Sequence, residues 1–203
     1  MKYLKLLIAT LCLFIVSSGF TGCALKANEL LAEKENTTED MQHIEEYIVT
    51  DTFDYDGELI TVGSDVIGYV ELPAHYYLSY ENEEVQLLRY IDKPDSTVVV
   101  LRTYNPINSD LEAAMESEAD YLYEGYRRAD LFPQIDQTSV SKKRVTIAGN
   151  EGYMVTHRES ETWYIVCYVA CPSDGTLRGI SVTYPPEHEY LLDMVLSTYR
   201  FEK

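Results

Sequence analysis

Residues 139–184 read SVSKKRVTIAGNEGYMVTHRESETWYIVCYVACPSDGTLRGISVTY. Four runs rich in β-branched and aromatic residues, Ser139 to Ile147, Gly152 to Arg158, Thr162 to Ala170 and Leu177 to Tyr184, read as strands. They are joined by Ala148-Gly149-Asn150, Glu159-Ser160-Glu161 and Pro172-Ser173-Asp174-Gly175. Linkers this short, made of turn-favouring residues, close hairpins and leave no room for crossovers, so the four strands run antiparallel.

Upstream the same alternation continues. Val66 to Leu72 stops at Pro73, His75 to Glu81 resumes, and Glu84 to Ile91 and Thr97 to Tyr104 flank a turn at Asp92-Lys93-Pro94-Asp95-Ser96. Val98-Val99-Val100-Leu101 is apolar on both faces, which predicts a central strand covered on two sides by helices. Two segments supply them. Ser109 with Glu112 makes a capping box, Leu111, Met115, Glu118 or Ala119, Leu122 and Tyr126 recur at helical spacing, and Arg127-Arg128 complements the end of the dipole. After Pro185-Pro186, Glu187 to Tyr199 places Leu191, Leu192, Val195 and Tyr199 on one face. The fold class is α+β, an antiparallel sheet with helices packed on it, over residues 66–203.

The N-terminus differs in kind. Lys2 and Lys5 precede an apolar run from Leu6 to Val16, followed by small and polar residues to Gly22, which is the plan of a secretory signal over residues 1–22. The run falls short of the ~20 residues a membrane-spanning helix needs. Phe20-Thr21-Gly22-Cys23 resembles the bacterial lipobox, with Phe where Leu is usual, and so assigns Cys23 as a lipidation site. Two acyl chains on one sulfur give stable anchoring, so the expected location is extracytoplasmic, on the membrane. From Ala24 to Asp65 there are twelve Asp and Glu against Lys26 and Lys34. That segment, residues 23–65 with the lipidated Cys, reads as a self-repelling tether, with a short helix allowed over Thr38 to Val49.

The whole chain has 203 residues, 16 Lys and Arg, 34 Asp and Glu, and a formal net charge of −18. Nucleic-acid binding rests on a basic footprint that this composition lacks. Adsorption to anionic lipid is disfavoured for the same reason, leaving the covalent anchor as the membrane partner. Once Cys12 leaves with the signal and Cys23 is acylated, Cys167 and Cys171 remain. Four residues of strand hold their Cα atoms roughly 13 Å apart, too far for a disulfide, so both thiols are expected free.

The order of these elements resembles the PsbP-like domain family. Tyr69-Val70-Glu71-Leu72-Pro73 looks like its opening strand, Val145-Thr146-Ile147-Ala148-Gly149-Asn150-Glu151-Gly152 like its mid-domain strand and glycine turn, and Leu196-Ser197-Thr198-Tyr199-Arg200-Phe201 like its closing helix and tail. Ala74-His75-Tyr76 departs from the Gly-Trp type pair common there. The family, which includes the photosystem II extrinsic protein, a Ran-binding import factor and bacterial lipoproteins, implies an α/β/α sandwich and an accessory role. It transfers no catalytic residue.

The residues themselves offer little chemistry. Of His43, His75, His157 and His188, only His157 has carboxylates at alternate positions, Glu159 and Glu161, and a solvated hairpin tip accounts for them. Asp54-Tyr55-Asp56-Gly57-Glu58 resembles the middle of a calcium loop but fails at both ends, with Thr52 and Gly63 where ligands belong. No metal ligand, cofactor or catalytic residue is assigned. The distinctive number is 18 Tyr against one Trp and five Phe. Tyr164 and Tyr168 share one strand face, and such a row gives contact area with polar tips, so they are the candidate partner-binding residues for a protein or glycan. Two functions follow: a non-enzymatic binding lipoprotein of the envelope or, as the alternative, a small extracytoplasmic hydrolase or metal-dependent enzyme built from scattered His and acids.

Overall fold

The computed structural model describes residues 44–50, 52–92, 97–106 and 110–202. The signal, Cys23, His43, the Lys93 to Ser96 turn and Ser109 lie outside them. The chain forms strands β1 (Glu46–Tyr47), β2 (Leu59–Ser64), β3 (Gly68–Pro73), β4 (Tyr77–Asn82), β5 (Leu87–Asp92) and β6 (Thr97–Tyr104), then helix α1 (Leu111–Tyr126). Strands β7 (Ser141–Ile147), β8 (Asn150–Glu159), β9 (Thr162–Cys171) and β10 (Thr176–Tyr184) follow, and helix α2 (Tyr190–Thr198) closes the fold.

The quoted stretch folds as its turns dictate. β7 to β10 pair consecutively and antiparallel, with Ala148 and Gly149 at φ 51° and 75° turning β7 into β8 and Ser160 at φ 57° turning β8 into β9. The large sheet has the order β1-β7-β8-β9-β10-β6-β5-β4, and β2 and β3 make a separate two-stranded sheet. One pairing breaks the antiparallel pattern: β1 runs parallel to β7, so the sheet is mixed.

That strand corrects the tether. Residues 44–65 belong to the folded unit, which begins at Ile44 and not at Val66. Tyr47, Val49, Phe53 and Tyr55 pack against the main core while Ile48, Thr50, Thr52 and Asp54 are exposed. This is the period-two alternation of half-buried extended chain, hidden in the sequence by its density of acids. The described part of the Thr38 to Val49 segment is extended, not helical, because Glu46 and Tyr47 pair with Arg144 and Val145.

Each sheet face has its own core. On one, Met115, Ala119 and Leu122 of α1 cover Tyr153, Val155, Tyr168 and Leu177. On the other, Leu191, Met194, Val195 and Leu196 of α2, with Val70 and Leu72 of β3, cover Ile165, Cys167, Val169, Ile180, Val182, Val99 and Leu101. The second layer is thus part hairpin and part short helix, not the pure helix layer of the expected sandwich. Asp110, one residue beyond the predicted Ser109, caps α1 by accepting from the Ala113 N–H, a role Asp fills as well as Ser. Cys167 and Cys171 are both free and buried.

Candidate binding face

Strand alternation and register put Tyr164 and Val166 of β9, Ser181 and Thr183 of β10, Val98, Val100 and Arg102 of β6, Arg89 and Ile91 of β5, and Tyr77 and Tyr80 of β4 on the sheet face that α1 packs against. α1 lies over β7 to β10. Over β4 to β6 that face carries no described helix, so the expected two-sided cover of Val98 to Leu101 is only half supplied. Leu101 is fully buried in the main core, whereas Val98 and Ile91 are half-buried. Val100 is nevertheless buried; its cross-strand neighbours are Arg89 and Ser181, and Arg stems are the groups long enough to shield it.

The two candidate tyrosines part company here. They do share a face, as alternation requires, but Tyr168 is 1% exposed beneath α1 and cannot meet a partner. One strand's periodicity says which residues share a face, not which face a distant helix will cover. Tyr168 instead packs on Tyr104 with ring centroids 5.6 Å apart, and burial pushes both phenols up. Tyr164 is half-buried and stacks on His157 at 4.9 Å. On the open part of this face the exposed aromatics are on the β4 edge, where Tyr77 is 37% and Tyr80 49% exposed; Tyr121, more exposed still, stands on α1. Sequence reasoning missed them because the run from His75 to Glu81 does not reveal that it ends a sheet.

Arg102 is held ready by its surroundings. Its guanidinium carbon sits 3.9 Å over the Tyr104 ring, and Gly179 opposite makes room, since a Cβ there would stand 2.5 Å from that ring and 3.1 Å from the Arg102 stem. Glu118 of α1 faces this region; burial pushes its carboxyl up and Arg102 draws it back down.

The histidines do not converge. His75 is half-exposed before β4, with Nε2 3.4 Å from the buried Asp92. His188 contacts the Tyr190 hydroxyl through Nδ1 at 3.2 Å. His157 corrects the solvated-tip reading: it is 5% exposed, tucked between Tyr126 and Tyr164, with Glu159 3.7 Å from Nε2 and Nδ1 without a hydrogen-bond partner. Asp54, Asp56 and Glu58 of the calcium-like stretch are all exposed. A cavity of about 380 Å³ between β1, the β7–β8 turn and α2 is lined by Tyr47, Val49, Ala148, Gly149 and Leu196 and holds no histidine.

This arrangement of strands and helices is a PsbP-like fold. The chain is similar to the solution structure of cyanobacterial PsbP (CyanoP) from Synechocystis sp. PCC 6803, with a TM-score of 0.53 and 10% identity over 72% of this chain and 94% of that chain. Weaker likenesses are to a mutant of the protein Mog1, with a TM-score of 0.39 and 10% identity over 69% of this chain and 86% of that one. The Ran-binding protein Mog1p of Saccharomyces cerevisiae matches with a TM-score of 0.40 and 11% identity over 70% and 87%. No protein-family model and no curated protein matches the sequence.

Proposed function

We propose that the chain is an exported lipoprotein. In this reading residues 1–22 direct it across the membrane, diacylglycerol on Cys23 holds it there, and the folded unit is a non-catalytic accessory that docks on a protein of the cell envelope. The open half of the sheet face carries the docking role. It offers half-buried aliphatics rimmed by Tyr77 and Tyr80, with two guanidiniums among them, and aromatic and Arg side chains on a mixed apolar ground are what protein interfaces use. The basic, apolar and small-residue segments of the N-terminus support export and acylation. His75, His157 and His188 stand on separate elements, and no observation favours the enzymatic alternative.

Two readouts test this function together. The full chain should incorporate a fatty-acid probe and sediment with membranes, and Cys23→Ser should abolish both. Persistent labelling of the Cys23→Ser protein, or a full-length unprocessed chain free in the cytosol, would overturn it.

A further inference from the structure

Among the described residues, every Lys and Arg other than two has a carboxylate within 4 Å, from Lys142 on Asp120 to Arg200 on Glu71. The exceptions are Arg89 and Arg102. In a chain with 34 acids and 16 bases, a cation left without an acid is the unusual case. The two are also neighbours: Arg89 lies opposite Val100 and Leu87 opposite Arg102, which makes the arginines a diagonal pair on the open face. Diagonal side chains lie about 7–8 Å apart at the backbone, within reach of each other, and like charges so placed repel. Both Nε–H groups are shielded from solvent and have no acceptor. Glu118 of α1 bears on Arg102 and the Tyr104 ring holds its guanidinium, so among the described residues Arg89 is the guanidinium with an unmet donor and no acid on it, and its planar fork matches a carboxylate.

Beside this pair, β4 ends the sheet. Among the described residues it has β5 as its one strand neighbour, and its six residues include the exposed Tyr77, Leu78 and Tyr80. An edge of this kind presents main-chain donors and acceptors that only another extended chain satisfies in a row. An added strand lies about 10 Å from β5, two strand spacings, a gap that an Arg and a Glu side chain span together.

Resting on the docking role proposed above, we infer that the occupant is an extended segment of a partner protein. It adds as a strand beside β4 and sets a Glu or Asp over Arg89, with Arg102, one strand farther in, adding positive charge behind it. Its other positions are apolar or hydroxylated, because Glu83 and Glu84 stand exposed at the β4–β5 turn and repel further acids. The same glutamates and the net charge of −18 argue against a second copy of this chain pairing edge to edge.

The test titrates the full-length chain with a labelled short peptide of Val and Thr that carries a single central Glu. Parallel titrations use its Gln counterpart, its backbone N-methylated counterpart, a sulfated oligosaccharide and phosphatidylglycerol vesicles. The Glu peptide should bind at least tenfold tighter than the Gln and N-methylated peptides, and Arg89→Gln should weaken it about tenfold and Arg102→Gln by less, with circular dichroism unchanged. Equal binding of the Gln peptide, preference for the oligosaccharide or vesicles, or an Arg-dependent dimer in sedimentation would overturn the inference. So would failure of every probe to bind the folded chain. The docking role fails separately, through loss of Cys23-dependent membrane retention or of protein adducts at the face.

Discussion

Replacing three glycines by alanine in turn separates three physical effects in one fold. Gly125 lies in α1 with open space where a Cβ would go, so Gly125→Ala removes only a helix-propensity penalty and should stabilise by about 0.5–1 kcal/mol. Gly149 also has open space but sits at φ 75°, so alanine there pays for the left-handed backbone alone, about 1–2 kcal/mol. Gly68 combines a φ of 95° with a neighbour: its Cβ would stand 2.4 Å from the Tyr199 hydroxyl and 2.6 Å from the ring. Tyr199 is buried and donates to the Ile67 carbonyl at 2.7 Å, joining the segment after α2 to the start of β3. Displacing it loses that bond and strands a buried acceptor, about 1–3 kcal/mol beyond the backbone strain. Gly68→Ala should therefore cost about 2–5 kcal/mol, a large share of the roughly 5–15 kcal/mol of a whole domain. Urea unfolding of the full chain followed by Trp163 fluorescence measures all three. A Gly68→Ala cost no greater than that of Gly149→Ala would refute the Tyr199 clamp.

Other expectations follow from the same packing. Burial raises the pKa of Tyr184, Tyr199, Tyr47 and Tyr168 above the ordinary 10.0. A raised folded value means their contribution is complete below pH of about 10 and is lost as the unfolded chain ionises above it; tyrosinate absorbance should appear in one cooperative step with alkaline unfolding, and gradual ionisation of a folded chain would contradict this. The Tyr47 hydroxyl donates to Asp193 Oδ1 at 2.8 Å, tying β1 to α2, so Tyr47→Phe should cost about 1–3 kcal/mol and expose residues 44–65 to limited proteolysis; unchanged cleavage would restore the tether reading for that stretch. Cys167 and Cys171 should resist a thiol reagent in the native chain and react in urea, because both are buried and burial pushes the Cys167 thiol up.

Local signals made much of this fold legible. The hairpins of β7 to β10 follow from turn residues a few positions apart, and α1 and α2 from apolar spacing within single segments. Non-local pairings were not legible. β1 joins β7 across nearly a hundred residues of chain, and its acids conceal the alternation of Tyr47, Val49, Phe53 and Tyr55. Tyr168 was misplaced for a related reason, since only the docking of α1 decides which face is covered. The Arg89 and Arg102 pair is invisible until the β5–β6 hairpin sets its register, after which the lack of a described carboxylate within 4 Å of either becomes the most informative feature of the face.

A photo-crosslinking residue in place of Tyr80, in the full chain and in intact cells, reads the docking face directly. The expected result is a discrete protein adduct in the membrane fraction that disappears when Arg89 and Arg102 are both changed to Glu. No adduct, or the same adduct with both arginines reversed in charge, would contradict a partner seated on this face.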